Sequence, residues 1–143
     1  MKTMISGLLI LFLANSAYAK NIEEIEKRQS MFKQIDKTAD LVEEELDQNK
    51  VNWPRVLNES KLLVKHSSSL NSLFTTGNNS KGRAKSAIWE DPEKFNTLLS
   101  QLNTGFDTLL HASEKKDRKQ ALAGLETAQD TCRSCHTSYR SLW

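Results

Sequence analysis

Two cysteines and a histidine near the end of the chain carry the most distinctive chemistry in the sequence. Cys132 and Cys135 are separated by two residues, and His136 follows at once. This Cys-x-x-Cys-His pattern is the attachment signature of a c-type haem. The two thiols would form thioethers with the porphyrin, and the imidazole would ligate the iron from one face. We therefore predict one haem c, bound covalently through Cys132 and Cys135, with His136 as the metal ligand.

On a helix, these three side chains occupy positions i, i+3 and i+4 and project from one side, where a flat macrocycle could lie. Two other interpretations of the motif stay open. A redox-active dithiol would follow a strand in a βαβ unit, and a structural zinc site needs four ligands, whereas the motif supplies three. The haem-free alternative is thus a helical dithiol or metal-binding module.

The first nineteen residues have the features of a secretory signal peptide. Lys2 is followed by an apolar run over residues 5–14 and by a small-x-small cleavage site at residues 17–19. Cleavage after Ala19 would leave residues 20–143 as one haem domain of 143 − 19 = 124 residues. The apolar run is too short to span a membrane comfortably. Because c-type haem is attached outside the cytoplasm in bacteria, we expect the periplasm and no membrane partner after cleavage.

The charges of the chain are nearly balanced. Lys and Arg number 20 and Asp and Glu number 18, and Lys2 is the single charged residue of the signal, so the mature chain carries 19 − 18 = +1. Such a balance gives no reason to expect a nucleic acid partner.

Four segments have apolar residues at spacings of three and four, the pattern of amphipathic helices. They begin near residues 21, 52, 91 and 118; the first ends near residue 49, the second continues to Phe74, and the last ends near residue 141. The longest loop covers residues 75–87, and no segment alternates with the period of a strand. The fold class predicted from this pattern is all-α, an antiparallel four-helix bundle.

Several residues mark the ends and contacts of these helices. Asn52 and Asp91 are predicted N-caps, because a proline follows each of them in the first helical turn. Gly105 interrupts the third apolar stripe, which indicates close approach to a neighbouring helix or to the haem edge. His66 and His111 are interpreted as surface or boundary residues. His66 is also a less favoured candidate for a distal iron ligand.

Three separated stretches resemble the cytochrome c prime family, which comprises bacterial periplasmic four-helix-bundle haem proteins. The haem motif lies close to the C-terminus and continues to Tyr139 and Arg140. The pair Arg28 and Gln29 lies in the first helix, and residues 88–92, Ile-Trp-Glu-Asp-Pro, precede the third helix. These stretches follow the family's order and span nearly the whole mature chain. The attachment motif alone is shared by all c-type cytochromes, so its placement and the two other stretches make the resemblance specific.

The resemblance implies roles for residues beyond the attachment motif. Arg28 and Gln29 would lie near a haem propionate, where a fixed guanidinium suits a carboxylate. Arg140, one turn beyond His136, would lie near the proximal face of the haem. Without the resemblance, Arg28 would be interpreted as a solvated helix charge and Arg140 as a cation at a helix C-terminus.

The group at the sixth coordination position of the iron decides the function. In the family, the residue four positions after the arginine faces the distal iron and is usually apolar; here it is Phe32. Such a blocker implies a five-coordinate iron that only small neutral gases such as NO or CO reach readily. Met31 is one position away, a rotation of ~100° on a helix, and could ligate the iron instead. The register from Arg28 favours Phe32.

We predict a periplasmic c-type cytochrome that transfers electrons, binds small gases such as NO, or does both. The first alternative is a six-coordinate, low-spin electron carrier with Met31 as the distal ligand. No acid–base pair or nucleophile grouping accompanies the motif, so we do not expect an enzyme. The expected partners are redox proteins and NO or CO, and the resemblance also implies a homodimer through the first two helices.

Overall fold

The computed structural model describes residues 6–74 and 82–141, with side chains from residue 22 onward. The helices of this part of the chain are α1 Ser6–Asp47, α2 Trp53–Ser69, α3 Ala87–Glu90, α4 Pro92–Lys115 and α5 Arg118–Tyr139. α3 is a single turn, and the four long helices form the predicted antiparallel bundle. The described residues contain no strand, and the bridge between Ala84 and Arg140 is isolated.

The signal peptide and its cleavage after Ala19 remain a prediction. The cleavage point falls inside α1, which begins at Ser6. In the described residues, none of the helices combines the length and the apolar character that a membrane crossing requires.

The long helices pack around one apolar core. α4 and α5 form the closest pair, α2 packs on α1 and α4, and α1 and α5 are the neighbouring long helices that touch least. Each helix contributes one buried stripe, at the spacing of three and four that predicted it. The core is formed by Ile35, Ala39, Val42, Leu46, Val56, Leu63, Leu70, Ile88, Phe95, Leu99, Leu102, Phe106, Leu109, Ala112, Ala121, Leu125 and Ala128.

The end predicted for the second helix is wrong. α2 ends at Ser69, and a 3-10 turn covers Leu70–Leu73 before the chain reaches Phe74. The hydroxyls of Ser68 and Ser69 both donate to the carbonyl of Lys65, at 3.0 and 2.8 Å. Such side-chain bonds compete with the main-chain hydrogen bonds of a helix.

Two more boundaries differ from the sequence prediction. Residues 75–81 of the predicted loop lie outside the described residues, and its last residue, Ala87, opens α3. α5 ends at Tyr139 rather than at residue 141, because the Ser141 N–H donates to the carbonyl of Arg83 at 2.8 Å instead of continuing the helix.

The two predicted N-caps have different outcomes. Asn52 caps α2, since its side-chain oxygen accepts a hydrogen bond from the Arg55 N–H at 3.3 Å. Asp91 precedes Pro92 at the start of α4 as predicted, but it makes no capping bond. Its carboxylate pairs with Lys94 at 2.8 Å instead.

Gly105 marks the close crossing of α4 and α5. A Cβ at Gly105 would lie 2.8 Å from the backbone nitrogen of Ala128, and a Cβ at Gly124 would lie 2.6 Å from the backbone nitrogen of Leu109. Real Cβ atoms do not approach backbone so closely. Gly105 therefore marks close approach to a neighbouring helix, which was one of the two predictions for this residue.

The start of the motif-bearing helix can be tested through its cap. The Asp117 carboxylate accepts from the Gln120 N–H at 3.0 Å, so Asp117→Ala should lower the free energy of unfolding by about 1 kcal/mol. Asp91→Ala is the matched control, because Asp91 holds the same position in α4 without a capping bond. Urea denaturation would compare them, and equal losses in the two variants would contradict the assignment.

Candidate haem-binding site

α5 carries the predicted attachment residues at the end of its core-facing side. Ala128 is fully buried, Cys132 and Cys135 are half-buried, and the His136 ring is exposed. Both cysteine thiols are free. The two thiols thus follow the side of α5 that packs into the bundle, and the imidazole lies at the margin of that side.

A cleft of about 380 Å³ lies between α1 and α5 and reaches Cys132. One hydrogen bond crosses between the two helices at this cleft, from the Gln129 side-chain amide to the Glu43 carboxylate at 2.8 Å. A planar group attached to Cys132 could enter the bundle here, where the helices touch least. The cleft is lined by Ile35, Asp36, Ala39, Asp40 and Glu43 of α1, Phe106 of α4, and Gln129, Cys132 and Arg133 of α5.

The register of α1 decides which earlier residues share the face that lines the cleft. At 100° per residue, Phe32 lies roughly 15° from the centre of that face and Met31 roughly 115° from it. Arg28 and Gln29 lie roughly 50° to either side of the centre. Phe32 and Met31 are both half-buried and pack against the core, whereas Gln29 is exposed. By this register, Phe32 and not Met31 lies on the side of α1 that lines the cleft.

A chain of aromatic rings connects Phe32 to the end of α5. The ring centroids of Phe32 and Phe74 are 6.3 Å apart, those of Phe74 and Phe95 are 4.7 Å apart, and those of Phe95 and Tyr139 are 5.2 Å apart. All three pairs meet edge to face, an arrangement that adds about 0.5–1.5 kcal/mol per pair beyond burial. These contacts join α1, the turn after α2, α4 and α5 at the end of the bundle that carries the motif.

Arg28 is buried among these aromatic side chains, with 6% of its surface exposed. Its guanidinium lies 4.9 Å from the centroid of the Phe74 ring and 5.9 Å from that of Trp89. Burial lowers its pKa, and the negative charge of Glu24 opposes that shift. Across residues 22–74 and 82–141, the guanidinium makes no ion pair or hydrogen bond. The interpretation of Arg28 as a solvated helix charge is therefore wrong.

Trp89 orients this aromatic group. The indole Nε1–H donates to the carbonyl of Phe74 at 3.3 Å. This hydrogen bond holds the ring of Trp89 in place beside Arg28. A buried guanidinium has five donors, and stacking on rings satisfies none of them. An anionic group near Arg28 could accept hydrogen bonds from this guanidinium.

The two thiols lie in surroundings that disfavour the thiolate. Burial raises the pKa of Cys132 to about 11, with further contributions from the negative charge of Asp36 and from Cys135. Burial likewise raises the pKa of Cys135 to about 11. Reactive dithiols in redox proteins have lowered thiol pKa values, so this pair does not match that chemistry.

Charges from three elements act on His136. Loss of hydration lowers its pKa most, the positive charge of Arg140 lowers it further, Asp36 of α1 opposes the shift, and Arg83 of the loop adds to it. The neutral imidazole that this shift favours is the form that ligates metals. Arg140 itself is exposed and stands one turn beyond His136, so its charge acts on the ring that the resemblance places beneath the haem.

A short loop segment holds the end of α5 in place beyond the motif. The Lys85 N–H donates to the Tyr139 carbonyl at 2.9 Å, and the Ser141 N–H donates to the Arg83 carbonyl at 2.8 Å. These main-chain bonds fix where the last turn of the helix lies.

The other histidines lie apart from the motif residues in sequence. His111 is exposed and contacts Glu114 at 3.3 Å, as predicted for a surface residue. His66 on α2 is half-buried, and its Nδ1 has no hydrogen-bond partner among the residues that the structure describes. In the same residues, no three His, Cys, Asp or Glu side chains are grouped so that they could hold a metal ion.

Comparison with known sequences identifies the family. A family model described as cytochrome c' matches residues 23–140, from the first mature helix to Arg140. The chain belongs to the cytochrome c prime family. Curated proteins gave no sequence match.

Solved cytochrome c prime structures share the fold. That from Thermochromatium tepidum has a TM-score of 0.77 at 20% identity, covering 85% of this chain and 96% of that one. A ferrous variant from Alcaligenes xylosoxidans with bound NO has a TM-score of 0.76 at 18% identity, covering 86% and 97%. A cytochrome c prime with an unusual ligand-controlled dimer dissociation has a TM-score of 0.78 at 18% identity, covering 85% and 96%. At these identities the likeness shows the fold.

Members of the cytochrome c prime family bind haem c, and the residues of this chain fit that cofactor. Cys132 and Cys135 are free, half-buried thiols, and Cys132 lines the cleft, which is consistent with covalent attachment. Arg28 is a buried cation that makes no direct ion pair in the described part of the chain, so its guanidinium is available to a propionate. The sequence-based expectation of haem c therefore agrees with both the family and the site.

Sequence reasoning missed several residues of this cytochrome c prime site. Phe74 and Phe95 complete the aromatic chain, yet Phe74 lies next to a loop, where an apolar residue gives no signal of its partners. Asp36 lines the cleft but was not distinguishable from other charges of the first helix. Gly124, two turns before Cys132, was also missed. The available signal was a glycine in each of two neighbouring helices, Gly105 and Gly124, which together indicate a close crossing.

Proposed function

We propose that the protein is a periplasmic cytochrome c prime with one haem c bound covalently through Cys132 and Cys135. In this proposal His136 is the proximal ligand and Phe32 covers the distal side of a five-coordinate iron. The protein then transfers electrons, binds small neutral gases such as NO and CO, or does both. The observation that supports the proposal is the register of α1, in which Phe32 and not Met31 shares the helical side of the residues that line the cleft beside Cys132.

When bound, the haem would supply a redox-active iron that can take electrons or a gas ligand. The chain supplies the surroundings. Phe32 and the rings beyond it exclude water from one side, because their apolar surface offers no hydrogen bond. Arg28 offers a fixed positive charge for a propionate, Gln29 lies at the same end of α1, and Arg140 places a positive charge near the proximal imidazole. None of these residues forms a nucleophile or an acid–base pair, so the proposed activity is not enzymatic.

Optical spectra of the matured protein test the coordination number directly. The proposal expects high-spin ferric and ferrous spectra, and a new spectrum when NO or CO is added to the ferrous protein. A low-spin ferric spectrum with a methionine–thioether band near the red end, together with slow CO binding, would instead identify the six-coordinate alternative with Met31 on the iron.

A pair of alanine variants distinguishes the two candidate distal residues. Phe32→Ala should speed CO binding to the ferrous protein on the order of tenfold or more, a lowering of the barrier by about 1.4 kcal/mol, because it removes the side chain over the distal side. Met31→Ala should leave the spectrum and the binding rate nearly unchanged. Flash photolysis would measure both rates. If Met31→Ala converts a low-spin spectrum to a high-spin one, the assignment of Phe32 is wrong.

The haem-free alternative has less support. The raised thiol pKa values of Cys132 and Cys135 oppose dithiol chemistry, and the family to which the chain belongs binds haem c. Intact mass of the exported protein decides the matter, since covalent haem adds its own mass to the polypeptide.

Location and assembly complete the proposal. N-terminal sequencing of the mature, exported protein would test cleavage after Ala19. A homodimer through α1 and α2 is supported by Leu62 of α2, a large apolar side chain that is 42% exposed, and by analogy with the relative that shows ligand-controlled dimer dissociation. Sedimentation with and without CO would test the homodimer. The remaining expected partners are redox proteins.

A further inference from the structure

One acidic side chain of α1 lies on the same face as Phe32 and lines the cleft that Cys132 also lines. Asp36 follows Phe32 by four residues, one helical turn, and lines the cleft together with Cys132 and Arg133. Arg28, Phe32 and Asp36 therefore recur one turn apart on the side of α1 that turns toward α5. If a haem is attached at Cys132, as proposed above, Asp36 borders the cleft that leads to it.

The charge of Asp36 is not neutralised by a direct partner. Among residues 22–74 and 82–141, its carboxylate makes no hydrogen bond and no ion pair. Arg133, the cation on the opposite wall of the cleft, pairs with Asp130 of its own helix instead. The cleft beside Cys132 therefore presents a carboxylate that has no direct partner in the described part of the chain.

The field of this carboxylate reaches the start of the motif. The negative charge of Asp36 contributes to the raised pKa of Cys132, whereas the positive charge of Arg133 acts on Cys132 with the opposite sign. Asp36 therefore lies close enough to act on a group attached at Cys132.

We propose that Asp36 is an electrostatic tuning residue that favours the ferric over the ferrous state. The ferric haem carries one more positive charge than the ferrous haem, so a nearby negative charge stabilises it more. One-electron reduction by a redox-partner protein is then less favourable than it would be without this carboxylate. This role rests on the proposed function and is separate from the roles of Arg28 and Phe32.

The test is a spectroelectrochemical titration of the holoprotein and three variants. Asp36→Asn keeps the shape and removes the charge, and it should raise the midpoint potential, so that the ferrous-to-ferric ratio at a fixed potential rises roughly threefold to tenfold. Asp36→Glu keeps the charge and should restore the ratio of the parent protein. Asp40→Asn removes the same charge one turn farther along the cleft and should produce a smaller rise. The difference for Asp36→Asn should shrink at 1 M salt, where the screening length is about 3 Å.

Each outcome has a definite meaning. If the ferrous-to-ferric ratio of the Asp36→Asn holoprotein equals that of the parent protein, the inference is wrong and the proposed function is unaffected. Equal rises in Asp36→Asn and Asp36→Glu would also overturn it, because the effect would then follow shape rather than charge. If the parent protein carries no covalent haem, the proposed function fails first, and this role fails with it.

Discussion

Replacing both Cys132 and Cys135 by serine should yield an exported protein without covalently bound haem. Serine is close in size to cysteine, so the half-buried positions on α5 keep their packing, but its oxygen replaces the sulfur that forms the thioether. Haem staining of a denaturing gel and intact mass would both report the loss. This is the largest effect that we expect from any change in the chain, because the bonds to the cofactor are removed outright.

A matched control lies inside the same motif. Ser134 occupies one of the two variable positions between the cysteines and is exposed, with its hydroxyl donating only to the Asp130 carbonyl at 3.0 Å. Ser134→Ala should therefore retain full haem content after denaturation. Haem that stayed bound through denaturation in the double serine variant would contradict attachment through these thiols.

Gly124→Val should destabilise the protein by about 3 kcal/mol, the upper part of the range for overpacked interiors. A Cβ at this position would lie 2.6 Å from the Leu109 backbone nitrogen and 2.8 Å from the Gly105 carbonyl oxygen. Backbone atoms of a packed helix cannot move aside as a flexible side chain can. The two helices would have to separate, and α5 would shift together with its attachment residues.

The neighbouring residue supplies the control for this substitution. Ala123 is exposed on α5, so Ala123→Val tests only the lower helix propensity of a β-branched residue, about 0.5 kcal/mol. Denaturant unfolding of the holoproteins measures both variants. Losses of the same size at the two positions would show that the crossing is less tight than the structure indicates.

Local sequence patterns predicted most of the helices. Apolar spacing places the four long helices, and Asn52 caps α2 as expected, since a cap depends on atoms within one turn of chain. At the end of α2, where the prediction was wrong, the side-chain bonds from Ser68 and Ser69 to the Lys65 carbonyl are equally local. The single turn α3 is too short for a periodic signal.

The attachment chemistry was also readable from the sequence, because Cys132, Cys135 and His136 are close along the chain. The family match over residues 23–140 agrees with the resemblance drawn from three short stretches. The haem roles of Arg28, Gln29, Phe32 and Arg140 remain predictions. For Arg28, the structure adds burial against Phe74 and Trp89, which lie far from it in sequence.

The sequence by itself determined the fold class and the haem c cofactor, since each depends on periodicity or on residues a few positions apart. Only the tertiary structure decided which face of α1 turns toward the motif, that Arg28 is buried rather than solvated, that Gly105 meets a helix, and that Asp36 borders the cleft. These features depend on the rotation and separation of helices that are distant along the chain. Packing sets both quantities, and no local pattern encodes them.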